Sequence, residues 1–188
     1  SSTARMRCIY QADGYLLVGG VSGALVVSKD NGKTWATVSK FASNAITGIS
    51  SKNGTFVAVD GDGKIYSTND PEGTWNLVFE SGKIFNAVTT DGSVFVAVGE
   101  GSGGIICKSS NGAEWETING TFPNFYAICH DGKSFVAIGA GGTAWKSEDG
   151  TTWRVAGSTG FDCRGISFNS GKYIAGGASG QIAYSYNG

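Results

Sequence analysis

Two prolines, one methionine and a single histidine, His130, stand in 188 residues. That histidine alone supports no multi-histidine metal centre, and no G-x-S-x-G sequence leads from a strand into a helix as a nucleophile elbow requires. Long apolar runs are missing too. Nothing approaches the roughly 18 residues of a membrane-spanning helix, and the opening SSTARMRC lacks the hydrophobic region of a secretory signal. The chain therefore reads as soluble, with no membrane insertion. Neither sign of charge is in excess: 14 Lys and Arg face 15 Asp and Glu, which removes the basic field that nucleic acid binding depends on. The four cysteines, Cys8, Cys107, Cys129 and Cys163, show no C-x-x-C spacing. They read as small apolar residues, with disulfide pairing left open.

What the sequence has in quantity is glycine, 31 residues without a collagen-like period, so turns are many and helix is disfavoured. Repeats account for them. An aromatic that opens a strand just after a turn recurs at Tyr15, Phe56, Phe95, Phe135 and Tyr173, at intervals of 41, 39, 40 and 38 residues. A second anchor, a serine that starts the stretches SKDNGKTW, STNDPEGTW, SSNGAEW, SEDGTTW and SYNG, falls at Ser28, Ser67, Ser109, Ser147 and Ser185. Both anchors count five units of about 40 residues, the length of a four-stranded propeller blade. Each unit reads as four short strands rich in Val, Ile and aromatics, separated by Gly, Asn and Asp turns.

The prediction is an all-β, five-bladed β-propeller of four-stranded antiparallel blades in a single domain, 1–188. Its repeats run approximately 1–40, 41–80, 81–120, 121–158 and 159–188. The fifth repeat supplies three strands and is expected to be closed by the N-terminal segment; RMRCIYQ matches an inner strand, so at most SSTA is left for the outer one. A last blade without its outer strand would present an edge able to pair with another chain.

SKDNGKTW resembles the Asp-box, the bacterial neuraminidase repeat of sialidase-like propellers, and the shorter copies resemble the S-x-[DN]-G-x-x-W repeats of phage and bacterial surface proteins. The first copy is a full match, the third and fourth are one residue shorter, and the second reads as carrying an insertion around Pro71. Ser28, Asp30, Gly32, Thr34 and Trp35, with Ser67, Trp75, Ser109, Asn111, Trp115, Ser147, Asp149 and Trp153, are expected to be structural. The Asp and Asn side chains accept from turn N–H groups, Gly32, Gly73, Gly112, Gly150 and Gly188 permit positive φ, and the indoles fill gaps between blades. The resemblance places these turns on the face opposite any active site.

The resemblance also invites a search for catalysis. Sialidases bind a carboxylate with three arginines and use a Tyr/Glu pair and an Asp. Here only Arg5, Arg7, Arg154 and Arg164 exist, and only Arg7 and Arg164 share a repeat position. The polar inner-strand position reads Arg7, Thr47, Asn86, Tyr126 and Arg164, without a carboxylate. Asp60, Asp62 and Glu100 read as solvated turn acids, and D-G-D-G lacks the further ligands of a calcium loop. No catalytic residue, metal or cofactor is expected.

Binding is expected instead where the fourth-to-first and second-to-third strand loops converge. Phe122, in TFPNF, reads as an exposed anchor because it has no counterpart in the other repeats. Asn86, Asn124, Tyr126, Asp162 and Arg164 accompany it, as aromatics and polar groups suited to sugars. Phe85 and Phe125 align with Ile46 and read as core. The expected function is non-catalytic recognition of a glycan or cell-surface receptor, or of other virion or surface proteins, in a phage virion or on a bacterial surface. A structural assembly domain and a glycosidase are the alternatives.

Overall fold

A computed structural model describes residues 5–186. Among the described residues nineteen strands form five antiparallel sheets arranged as a β-propeller, and the only helical pieces are three single 3₁₀ turns. Blade 1 comprises β1 (Met6–Ala12), β2 (Tyr15–Gly20), β3 (Leu25–Ser28) and β4 (Ala36–Thr37). Blade 2 comprises β5 (Ile46–Lys52), β6 (Thr55–Asp60), β7 (Lys64–Thr68) and β8 (Asn76–Glu80); blade 3 comprises β9 (Ile84–Thr90), β10 (Phe95–Glu100), β11 (Ile105–Ser109) and β12 (Glu116–Thr117). Blade 4 comprises β13 (Phe125–His130), β14 (Phe135–Gly139), β15 (Thr143–Ser147) and β16 (Arg154–Ser158). Blade 5 has three strands, β17 (Cys163–Asn169), β18 (Lys172–Gly177) and β19 (Ile182–Ser185). The inner strands β1, β5, β9, β13 and β17 pack on one another in sequence. The five-blade, all-β prediction thus holds, including the three-stranded last blade.

Strand periodicity makes both faces of each blade apolar. Successive residues of a strand point to opposite faces, so a sheet wedged between two others needs apolar residues at both sets of positions. In β6, Phe56 and Ala58 join the core with blade 1 while Val57 and Val59 join the core with blade 3. The pattern repeats with Phe95 and Ala97 against Val96 and Val98, then with Phe135 and Ala137 against Val136 and Ile138. The small alanine opposite each bulky partner lets the twisted sheets approach. Phe56, Phe95 and Phe135 are all but fully buried; truncating any of them to Ala costs about 3–5 kcal/mol.

The strand register corrects the alignment of the first two repeats. Leu16 pairs with Ser28 and Gln11, as Phe95 pairs with Ser109 and Thr90, so Leu16 and not Tyr15 holds the position of Phe56, Phe95, Phe135 and Tyr173. Phe56 in turn faces Thr68, so the box hydroxyl of blade 2 is Thr68 and not Ser67. With that shift TNDPEGTW has the same length as SKDNGKTW, and no residue is inserted around Pro71.

The boxes form turns at the end of each blade that also holds the β1–β2-type hairpin. In blade 1 the N–H of Gly32 donates to Ser28 Oγ at 2.9 Å, the N–H of Thr34 to Asp30 Oδ1 at 2.8 Å, and the indole of Trp35 to the Gly32 carbonyl at 3.1 Å. Ser109, Asn111 and Trp115 repeat these bonds, and in the fourth box Asp149 and Trp153 repeat the carboxylate and indole bonds. Gly32, Gly112 and Gly150 have φ of 83°, 77° and 72°, which explains the glycine. Gly73 does not share that conformation: its N–H instead donates to the Asp70 carbonyl, and Gly188 lies outside the described residues. The indoles fill the gaps unevenly, from Trp75 at 4% exposed to Trp35 at 43%.

Four inter-blade cores join the five blades, and no comparable core joins blade 5 to blade 1 among the described residues. Residues at matching positions show the difference. Met6 and Ile9 are 45% and 69% exposed, against 0% and 5% for Ile46 and Ile49 one blade on. Ile174 and Ile182 are 52% and 72% exposed, against 0% for both Val57 and Ile65. The expected closing segment, SSTA, lies outside the described residues.

Close approach fixes two further glycines. At Gly99 and Gly139 a Cβ would stand 1.9 Å from the Ile84 carbonyl oxygen and 2.0 Å from that of Asn124. Gly139→Ala is therefore expected to destabilise blade 4 by about 2 kcal/mol or more, whereas Gly157→Ala, with nothing within 4 Å of its Cβ, stays within about 0.5 kcal/mol of wild type in urea denaturation.

Hydrogen bonds hold the box carboxylates low. The Thr34 hydroxyl and N–H, with Ser28, hold Asp30 down at about 2; the Thr152 and Thr151 N–H groups and Ser147 hold Asp149 at about 2 against its desolvation. A carboxylate depressed in the folded state contributes stability above its unfolded pKa of about 3.9, and that contribution is lost as pH falls through the folded value. The Tm is expected to fall between about pH 4 and pH 2, and Asp149→Asn, which copies the bonding of Asn111, to flatten that fall while changing the Tm at pH 7 little in circular dichroism melts.

Candidate functional site

At the opposite end of the blades from the boxes, each inner strand carries one β-bulge. The register shifts fall between Met6 and Cys8, Ile46 and Gly48, Phe85 and Ala87, Phe125 and Ala127, and Cys163 and Gly165. The extra residues are Arg7, Thr47, Asn86, Tyr126 and Arg164. The repeated polar position is thus a bulge position. A bulge leaves one residue out of the ladder and re-aims its side chain, which is why a polar residue is tolerated amid apolar neighbours.

Two of these side chains, with the thiol of Cys8 beside Arg7, tie one blade to the next by hydrogen bonds. Thr47 Oγ1 donates to the Phe85 carbonyl at 2.7 Å, Asn86 Nδ2 donates to the Phe125 carbonyl at 2.8 Å, and the Cys8 thiol points to the Ile46 carbonyl at 3.6 Å. Each accepting residue directly precedes the next blade's bulge. Between blades 4 and 5 the link changes character: the Arg164 guanidinium stacks on the Tyr126 ring, 4.0 Å from its centroid. Arg164 is exposed and Tyr126 partly so, and no carboxylate pairs with Arg164 among the described residues.

Three of the six predicted binding residues are already committed, and Phe122 is not exposed. Phe122 is 9% exposed and packs edge-on against Trp145 at 5.5 Å and beside Phe125 at 6.1 Å, in the core of blades 3 and 4. Its anchor role is thus corrected: lacking a counterpart, it plugs an irregular loop. Asn124 Oδ1 accepts from the Gly101 N–H at 3.3 Å, Asp162 Oδ1 accepts from the Gly141 N–H at 2.7 Å, and Asn86 is used as described. These bonds fasten the second-to-third strand loop of one blade to the entry of the next. Phe85 and Phe125 are fully buried, in line with the core reading. Tyr126 and Arg164 are what remains.

Asp60 is likewise not a solvated turn acid. It is 0% exposed, accepts from the N–H groups of Asp62 and Lys64 at 2.9 Å each, and receives the Tyr66 hydroxyl at 3.2 Å. Its strand position is glycine in the other four blades. Here the side chain folds back to organise its own loop. Asp62 is held by Ser43 and Asn44. Among the described residues no cluster of three His, Cys, Asp or Glu side chains could hold a metal ion.

Burial pushes the thiols of Cys8 and Cys107 up to about 11 and that of Cys129 to about 12, leaving them as thiols at neutral pH. His130 packs on Phe135 and accepts from the Gly132 N–H through Nδ1. Burial pushes Asp131 up, but the Tyr173 hydroxyl, the N–H groups of Lys133 and Ser134 and the nearby Lys146 outweigh it and hold the carboxyl down at about 2. That cluster ties blade 5 to blade 4 at the box end.

No family model matches the chain, and no curated protein matches its sequence. Solved structures do. The computationally designed Ika8 protein superposes with a TM-score of 0.74 at 16% identity over 96% of this chain and 58% of that one. YCF48 bound to D1 peptide gives 0.76 at 16% identity over 98% of this chain and 64% of that one. A chain of the nidogen–laminin complex gives 0.69 at 13% identity over 88% of this chain and 68% of that one. At these identities the likeness is one of fold, and this chain spans about three fifths of the first two. No helix among the described residues is long and apolar enough to cross a membrane.

The bulge ties have measurable weight. Thr47→Val keeps shape and removes the donor, leaving the Phe85 carbonyl short of a partner; a loss of about 1–2 kcal/mol is expected in urea denaturation, and a similar loss for Asn86→Leu.

Proposed function

We propose that this propeller is a non-catalytic recognition module, and that Tyr126 and Arg164 at the bulged rim of blades 4 and 5 form its contact point. The observation that carries the reading is the stack itself. An exposed guanidinium laid flat on a phenol ring, with no carboxylate partner, keeps its donor edge available while its position is fixed, so little rotamer entropy is lost on binding. Aromatic and Arg side chains of this kind are the usual anchors of protein interfaces. The chemistry suits an acidic group on an extended peptide or protein segment, since a planar guanidinium takes a carboxylate through two parallel hydrogen bonds.

Support comes from both sides. Thr47, Asn86, Asn124 and Asp162 at this rim are consumed in holding blades together, and fold neighbours include YCF48 bound to a peptide and a chain of the nidogen–laminin complex. Absence of catalysis belongs to the same proposal: the five bulge positions carry no carboxylate, and Asp60, Asp62 and Asp162 nearby are bonded to loop groups. A glycan reading is the second one. It rests on Tyr126 as a stacking surface for an acidic sugar, and it is narrower than the sequence suggested because Phe122 is buried. A setting on a phage virion or bacterial surface rests on the resemblance of the box turns.

Acidic peptide arrays and acidic glycan arrays, probed with the folded 188-residue chain, test the proposal. Binding to acidic peptides is expected to weaken at least about tenfold in Arg164→Ala and Tyr126→Ala, with the fold retained in circular dichroism and the Tm lowered by no more than about 4 °C through loss of the exposed stack. Binding to neither array, or binding indifferent to both substitutions, overturns it; glycan binding alone moves the rim to the second reading.

A further inference from the structure

In blades 2 to 4 a fourth strand, headed by the box tryptophan, closes the wedge between a blade and the one before it. Trp75 lies in the core with Leu17, Leu25, Val38 and Tyr66, Trp115 packs against Phe95 at 6.3 Å between ring centroids, and Trp153 packs against the core of blades 3 and 4. Blade 5 ends in β19, whose outer edge pairs with no strand among the described residues.

Where a fourth strand would lie, a cavity of about 270 Å³ opens between blades 4 and 5, walled by Val136, Ile138 and Ala144 on one side and Tyr173, Ala175 and Ala183 on the other. By register these correspond to Leu17, Gly19, Leu25, Phe56, Ala58 and Tyr66, around the site that Trp75 fills between blades 1 and 2, three interfaces earlier. The cavity is therefore the tryptophan slot of the repeated interface, still open.

We propose that the β19 edge and this cavity together form a strand-docking site, whose occupant is an extended peptide of the fourth-strand type, headed by a tryptophan. It is separate from the Tyr126–Arg164 rim and does not depend on it. Two features commit the site to a strand rather than a small apolar molecule. The edge offers a row of backbone donors and acceptors, which only an extended chain satisfies, and the cavity sits beside that edge at indole distance, as the three filled interfaces show. The register follows from the other blades. Ala36 pairs with Val27, Asn76 with Ser67, Glu116 with Lys108 and Arg154 with Lys146, so the residue after the incoming tryptophan falls opposite Tyr184.

The probe is a fluorescein-labelled synthetic peptide, EDGTTWRVAGS, which copies residues 148–158. Titrated with the 188-residue chain, it is expected to show saturable anisotropy, an at least tenfold weakening when its Trp is replaced by Ala, and a similar weakening against Ala144→Trp, which fills the cavity from blade 4. A peptide with Pro in place of its Val tests the edge, because it cannot complete the ladder. Hydrogen exchange on the unmodified protein supplies the reading that no folding defect can mimic: amides of Ile182–Ser185 gain protection with the Trp peptide and not with the Ala peptide. No saturation up to millimolar protein, binding indifferent to the Trp, or binding without protection of β19 overturns the proposal. So does a stable dimer in light scattering that excludes the peptide, since a second copy would then own the edge.

Discussion

The fold depends on the two-residue alternation of a β-strand inside a sheet that has another sheet on either side. A blade cannot put polar residues on one face, as an ordinary antiparallel sheet does, because both faces are interior. Each of β6, β10 and β14 accordingly reads aromatic, branched, alanine, branched, and each pair of positions belongs to a different core. Stability is then a sum over neighbouring interfaces rather than over blades, as in other repeat arrays. Among the described residues four interfaces carry five blades, so blades 1 and 5 each have one neighbour with a shared core, and most of the exposed large apolar side chains, among them Met6, Ile9, Ile174, Ile182 and Tyr184, lie on the two faces left over.

The same geometry explains the bulges. Inner strands converge on the axis and need strong local twist, and one extra residue per strand supplies it. That residue leaves the alternating pattern, so its side chain belongs to neither core and is free to be polar. Thr47 and Asn86 spend this freedom on the carbonyl of the next blade. Tyr126 and Arg164 meet each other instead of backbone, and a functional group is left facing solvent. The rim is thus one structural device used in two ways.

Composition and period made the architecture legible: a count of aromatics and hydroxyl-led turns gives the blade number, whereas the repeated polar position reads only as part of the inner strand and is shown to be a bulge by the register. What stayed hidden is set by pairing across strands. Tyr15 and Leu16 are adjacent apolar residues, and only the partnership of Leu16 with Ser28 tells which one faces blade 2's counterpart position. Ser67 and Thr68 offer the same ambiguity between two adjacent hydroxyls, resolved by Phe56. Asp60 is a third case, since a buried acid whose bonds are all local looks like any turn acid in sequence.

Phe122 shows a different limit. Absence of a counterpart in the other repeats was a reason to read it as functional, yet an irregular loop also needs an irregular plug, and Phe122 packs on Trp145, itself unique at a position held by Tyr66 and Cys107 elsewhere. Two singular residues compensating each other within a core produce the same sequence signal as one singular residue exposed for binding. Exposure together with an unmet valence separates them. Phe122 has neither, while Arg164 is exposed with no carboxylate partner among the described residues, and the cavity beside β19 is apolar with no indole in it. In a repeat protein, function is then best sought where a repeated bond is missing, because the symmetry itself states what the complete interaction would be.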